Sequence, residues 1–196
     1  MKKYTGYSLI ELMVALAVLA IIISVGLPQM SVFFKGGRMV TIPNELLAGL
    51  HIARSEAIKR NSRVTICKST NADAVSPVCA TGAENWDSGW FVFVEGQGVG
   101  EVGEYTSVDG AILKVNTGVE NNKATIIADS TAIADYVTFT SRGTPKLANG
   151  ASQSGLFRVC DDRGISSARG VVLNASGRVR VTQDADKIGA CPDVPA

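Results

Sequence analysis

The chain has 196 residues, 46% of them hydrophobic, with 19 lysines and arginines against 18 acids for a net charge of +1. That length suits one domain of about 150 residues plus an additional segment. With a single histidine, His51, and no C-x-x-C among Cys67, Cys79, Cys160 and Cys191, composition argues against a zinc site.

The near-zero net charge says little about partners, but its distribution is polarised. Residues 1–69 carry nine basic side chains against three acids, residues 70–140 two against ten, and residues 141–190 eight against four. The chain opens with Lys2 and Lys3, passes a Gly6, Tyr7 junction, and enters an apolar run over 9–27 whose one charge is Glu11. A membrane-spanning helix needs about 20 apolar residues, so residues 7–27 are long enough, with Lys35 and Arg38 beyond. A cleaved secretory signal would place its small residue after the apolar run, whereas Gly6 precedes it. A plain anchor leaves Glu11 without a reason, because a carboxylate in an apolar span is costly and calls for a partner.

The helix should continue past Pro28. Over 39–63 the apolar residues Leu46, Leu47, Leu50, Ala53, Ala57 and Ile58 form one broad stripe, and Arg54, Glu56, Lys59 and Arg60 fall on the other side. Pro43 would remove a hydrogen bond and crowd the preceding turn, which predicts a kink or restart at 41–43 with Thr41 as the N-cap. His51 reads as an ordinary, partly exposed helix residue.

From Val64 the texture is that of strands. The first is 64–68, followed by a polar loop over 69–85. Trp86, Asp87, Ser88, Gly89 and Trp90 lead into a strand at 91–94, whose expected neighbour is 64–67. The two tryptophans read as an aromatic pair covering a helix–sheet core rather than a platform for bases or sugars. The glycine-rich 96–103 lacks both the GK[ST] ending of a P-loop and the strand–helix setting of a dinucleotide site, so it is read as a connection. Further strands are expected at 111–115, 125–128, 136–140, 156–160, 170–173 and 178–182, with turns at 118–122, 129–135 and 141–143. Asn174, Ala175, Ser176 and Gly177 form a hairpin turn. The predicted architecture is α+β, a long N-terminal helix on one face of an antiparallel sheet. Three disulfide pairings are open. Cys67–Cys79 would close a short polar loop and Cys160–Cys191 would tie a strand to the C-terminus, and this pairing is preferred, at about 3–4 kcal/mol each in the chain-entropy model.

No nucleophile–base arrangement surrounds His51, and the acids of 95–135 lie on connections where a solvated surface is the default. The expectation is therefore a structural or binding subunit, not an enzyme, with no cofactor and no metal. The one constellation with a binding mechanism is Gly177, Arg178, Val179, Arg180. On a strand Arg178 and Arg180 share a face while Val179 and Val181 point to the core. Two guanidiniums about 7 Å apart, at roughly 3.3–3.4 Å per residue, approximate successive phosphates of a nucleic acid. Such contacts are independent of sequence and weaken steeply with salt. Asp184 and Asp186 nearby work against a strong patch, so weak affinity raised by multiple copies is expected.

Gly6, Tyr7, Ser8, Leu9, Ile10, Glu11, Leu12 and Met13 resemble the class III signal of type IV pilins and pseudopilins. The resemblance implies cleavage after Gly6 by a prepilin peptidase and methylation of the new terminus on Tyr7. It also implies that Glu11 neutralises the amine of a neighbouring subunit, a pairing that makes two otherwise costly buried charges tolerable. Pro28 falls where that family often carries a kinking proline. The implied organisation is a leader at 1–6, a membrane and filament-core helix at 7–28, and a globular domain at 29–196 that includes an amphipathic helix to about 62. Such a subunit starts in the bacterial inner membrane with its C-terminal domain in the periplasm, then joins other pilin subunits in a pilus at the cell surface. Asn44, Glu45, Leu46, Leu47 and the run Ala53, Arg54, Ser55, Glu56, Ala57, Ile58 are similar to the helix of the GspH/FimT group of minor pilins and pseudopilins. Val64 to Cys67, the Trp86 to Trp90 motif and Arg169 to Leu173 are similar as well. The GRxR tetrapeptide after its turn resembles the DNA-binding motif of FimT-type minor pilins that capture DNA in natural transformation. That resemblance implies contacts to double-stranded DNA from Arg178 and Arg180 beside Gly177. Lys187, Arg142 and Lys146, with Arg163 or Arg169, would extend the surface. The alternative is a purely structural subunit that initiates a type IV pilus or a type II secretion pseudopilus.

Overall fold

A computed structural model describes the backbone of residues 8–96, 102–105, 110–119 and 123–192, with side chains at these positions except 25–29 and 31–32. The expected cleavage junction, Gly6 and Tyr7, lies outside the described residues. Helix α1 spans Leu9–Arg60, and the chain divides into two compact units, Met1–Arg38 and Met39–Ala196.

In the first unit α1 opens with half of a capping box: Ser8 precedes the helix and Glu11, three residues on, turns a carboxylate oxygen back to accept from the Ser8 backbone N–H at 3.4 Å, while the Glu11 N–H donates to the Ser8 carbonyl. Leu9, Ile10, Leu12, Met13, Val14, Leu16, Val18, Leu19, Ile21 and Ile22 are all more than half exposed. A helix apolar on every side needs a cover of lipid or other helices. Among the described residues no helix is long and apolar enough to cross a membrane. The expected span includes Tyr7 and the side chains of 25–28, which are not among them.

In the second unit α1 buries Met39, Ile42, Leu46, Leu50, Ala53 and Ala57 at the three- and four-residue spacing of one helical face. The restart expected at 41–43 does not occur, and α1 runs through Pro43. Burial of Met39, Ile42 and Leu46 around the proline offsets the roughly 3 kcal/mol it costs in a helix interior. α1 ends where Asn61 adopts φ +51° and the Ser62 N–H donates to the Ala57 carbonyl, a left-handed closure of the last turn.

Among the described residues eight strands follow: β1 (Val64–Lys68), β2 (Trp90–Val94), β3 (Ile112–Asn116), β4 (Thr125–Ala128), β5 (Tyr136–Phe139), β6 (Gly155–Cys160), β7 (Arg169–Leu173) and β8 (Val179–Thr182), with a short helix α2 (Ala185–Ile188) after them. They form two antiparallel sheets rather than one, ordered β3-β2-β1-β5 and β4-β6-β7-β8. Val64, Ile66, Trp90, Val92, Val137 and Phe139 of the first sheet and Phe157, Val159, Val171, Leu173 and Val179 of the second share one core with α1. The reverse face of the first sheet buries Cys67, Phe91 and Phe93 beneath Tyr105 and Tyr136, next to a Cys67–Cys79 disulfide. On the reverse face of the second, Cys160, Ala168 and Ile188 cluster beside a Cys160–Cys191 disulfide.

The stretch from Trp86 to Trp90 joins these layers. The Trp86 indole N–H donates to the Ala134 carbonyl at 2.9 Å, and its ring meets Phe157 edge-on at 5.1 Å. The Asp87 carboxylate accepts the Ile126 N–H at 3.0 Å, and burial pushes its pKa up. The fully buried Lys68 ammonium holds Asp135 at 2.7 Å and donates to the carbonyls of Gly82 and Glu84, so a charge inside the fold is paired and hydrogen-bonded. Trp90 packs against Gly49 of α1 so closely that a Cβ there would lie 2.6 Å from the indole. In an open helix Gly→Ala stabilises by about 1 kcal/mol; against a rigid buried ring the overlap should outweigh that gain. Gly49→Ala is expected to lower stability by about 1–2 kcal/mol and the thermal midpoint by roughly 2–8 °C, read by near-ultraviolet circular dichroism. A raised midpoint would mean that Trp90 gives way freely.

Candidate nucleic-acid interface

β8 is an edge strand of the second sheet. Val179 is buried and Val181 packs against the core, which turns Arg178 and Arg180 outward, both exposed. Among the described residues neither guanidinium has an ion-pair or hydrogen-bond partner. The turn that presents them is closed by the Asn174 N–H donating to the Arg178 carbonyl at 3.0 Å and the Gly177 N–H donating to the Asn174 carbonyl at 2.8 Å.

Gly177 is required there. Its φ is +78°, and a Cβ would fall 2.0 Å from the carbonyl oxygen of Gly143. Gly143 in turn has φ +73°, and a Cβ on it would come 2.7 Å from Ile58 of α1. The β7–β8 turn and the turn at 141–143 are therefore locked against each other and against the helix. Arg142 and Arg178, each the chain neighbour of one of these glycines, flank the same contact, and Arg142 is exposed. A third arginine shares this corner. The Arg54 Nη2 reaches the Ser176 carbonyl at 3.4 Å.

The other basic residues are arranged differently. Lys146 is half-buried and donates to the Ser152 hydroxyl at 3.0 Å. Lys187, on α2, is paired with Asp184, whose carboxyl is held below the usual range by that lysine. Arg163 grips Asp161 through Nε at 2.9 Å and Nη2 at 2.6 Å. Arg169 donates to the carbonyls of Ser167 and Ala168. Local partners thus hold Lys187, Arg163 and Arg169, and the corner gathers Arg178 and Arg142 beside Gly177, with Arg180 two residues further along, in β8. Arg54 escaped the sequence pattern because helical periodicity shows only that it stands off the buried stripe, not which loop meets it. Among the described residues no three His, Cys, Asp or Glu side chains converge where a metal ion could sit.

Residues 44–177, about two thirds of the chain, match the family model described as type II transport protein GspH. Residues 1–27 match the model of the prokaryotic N-terminal methylation motif. No curated protein matches the sequence. Among solved structures the fold is similar to the crystal structure of the type IV minor pilin FimU of Pseudomonas aeruginosa, at 20% identity and a TM-score of 0.53 over 83% of this chain and 96% of that one. A second crystal form of FimU gives 20% identity and a TM-score of 0.49 over 78% and 94%. The first of these likenesses establishes the fold, that of a type IV pilin.

Two outcomes are expected from the geometry. Gly177→Ala should cost about 2–4 kcal/mol, from the left-handed backbone and the clash with Gly143, and should speed amide exchange at Asn174. Protection like that of the wild type would show that the two turns are not locked. For Asp161, burial works to raise its pKa, but hydrogen bonds from Arg163 and Ser167 outweigh it and leave the value lowered. Its contribution is full above the unfolded-chain value of about 3.9 and is lost as pH falls through the folded value. Asp161→Asn should lower stability at pH 7, with the gap to wild type closing in acid, as measured by urea titration across pH. An equal loss at every pH would assign the effect to packing.

Proposed function

This chain belongs to the GspH family of type II transport proteins, and from that premise we propose that it is a FimT-type minor pilin that binds extracellular double-stranded DNA, without sequence preference, for uptake in natural transformation. The observation that carries the reading is the pair Arg178 and Arg180, exposed and without partners among the described residues, on an edge strand whose turn is locked by Gly177. Two residues along a strand advance about 7 Å, and planar guanidiniums suit phosphate oxygens. Arg142, beside the same turn, adds a third contact, and Lys146 and Lys187 are more distant contributors. Few contacts give weak binding to one copy, and a filament carrying several copies would raise it through effective concentration. The work of such a subunit is binding and assembly, not catalysis.

At the other end, the methylation-motif match supports cleavage after Gly6, methylation of Tyr7, and an inner-membrane stage that precedes the pilus. Glu11 sits in the exposed first turn of α1, where its carboxylate could meet the amine of a neighbouring subunit; that pairing would offset the cost of burying either charge alone. The residues that cover α1's apolar surface are, in this reading, lipid first and other pilin helices later.

The description of the matched family as a type II transport protein favours one rival, a structural pseudopilin or assembly-initiating minor pilin without affinity for DNA. The double variant Arg178→Gln, Arg180→Gln separates the two. For the full chain in neutral detergent it should abolish gel retardation of a duplex that the wild type retards, with the thermal midpoint unchanged. Retardation equal to wild type would remove the DNA reading. In cells the same variant should lose DNA uptake while piliation or secretion continues.

A further inference from the structure

Arg54 is a half-satisfied cation. Its Nε is enclosed and has no hydrogen-bond partner, while Nη2 makes one long contact, 3.4 Å, to the Ser176 carbonyl. A guanidinium carries five N–H donors, and leaving them unmet in a partly desolvated place is costly. The Cβ atoms that Gly143 and Gly177 lack would fall 3.1 and 3.3 Å from this Nε. The arginine thus occupies the notch left by both glycines, one helical turn from Ile58, which packs on the same turn. An apolar side chain would fill that notch at less cost, and no carboxylate among the described residues pairs with Arg54. What the corner offers is three arginines, Arg54 from α1, Arg142 from the 141–143 turn and Arg178 from the hairpin, held by three elements that the glycine contacts lock together. Clustered cations without acids favour a polyanion, and a locked frame avoids the entropy of ordering them on binding.

We propose that Arg54 is a further phosphate contact of the DNA-binding surface, its free Nη donors meeting a backbone phosphate beside the one held by Arg178; this rests on the DNA reading above. Phosphate contacts are counted by salt dependence, because each one lost reduces the slope of log K against log salt by about 0.9. The test is fluorescence anisotropy of a labelled duplex with the full chain in neutral detergent, from low to moderate salt. Arg54→Gln is expected to reduce the slope by about one ion and weaken binding several-fold at low salt. Arg54→Lys, which keeps the charge and loses the fork, should restore the wild-type slope. In the wild-type protein, which carries no risk of misfolding, the Arg54 Nε–H resonance should shift as duplex is added. A wild type that binds duplex with an Arg54 signal unmoved, or a folded Arg54→Gln with an unchanged slope, would overturn this proposal and leave Arg178 and Arg180 standing. A wild type that binds no duplex would overturn the DNA reading itself and this assignment with it.

Discussion

Trp90 lies in the notch that Gly49 leaves in α1, 2.6 Å from where a Cβ would stand, and the globular unit is arranged around that contact. A helix of large side chains would hold a sheet at the usual distance. Gly49, followed by Ala53 and Ala57 on the same buried stripe, lets an indole approach the helix backbone. Trp86, four residues earlier, uses its N–H on Ala134 and its ring on Phe157 of the second sheet. One short segment thereby joins helix and two sheets, and Asp87 between the tryptophans adds a hydrogen bond to β4. Burial there pushes the Asp87 pKa up, against the hydrogen bond from the Ile126 N–H.

The same logic of close approach shapes the basic corner. Gly143 and Gly177 bring two turns within a distance that no Cβ would permit, and arginines next to them in the chain are left facing water. Elsewhere in this part of the chain cations have local work: Arg163 on Asp161 and Lys187 on Asp184. A net positive balance along the sequence therefore overstates the positive surface available to a partner. Among the described residues Arg142, Arg178 and Arg180 have neither an acid nor a carbonyl to hold them, and Arg142 and Arg178 flank the contact between Gly143 and Gly177.

The first unit obeys a different constraint. Its helix is apolar all round and exposed in isolation, and the one carboxylate in that stretch sits in the first turn, where it faces the positive end of the helix and its own Ser8 N–H. A surface of that kind is complete only with a cover, consistent with the methylation motif matched over residues 1–27.

Much of this was readable from residues alone. The β-rich residues of β1, β4 and β6 placed those strands within a residue, and a helix stripe of Leu46, Leu50, Ala53 and Ala57 was visible because burial on one face imposes a fixed period. The GRxR pair was visible for the same reason, since Val179 and Val181 could only point inward. Periodicity is local, however, and pairing is not. Nothing in the pattern of β5 or β6 says that the chain leaves one sheet for another between them, so eight strands read as one sheet. The helix through Pro43 was likewise decided by burial around the proline, which outweighs its propensity. Arg54 meets the Ser176 carbonyl 122 positions further along the chain, and only packing of the folded chain determines such a meeting.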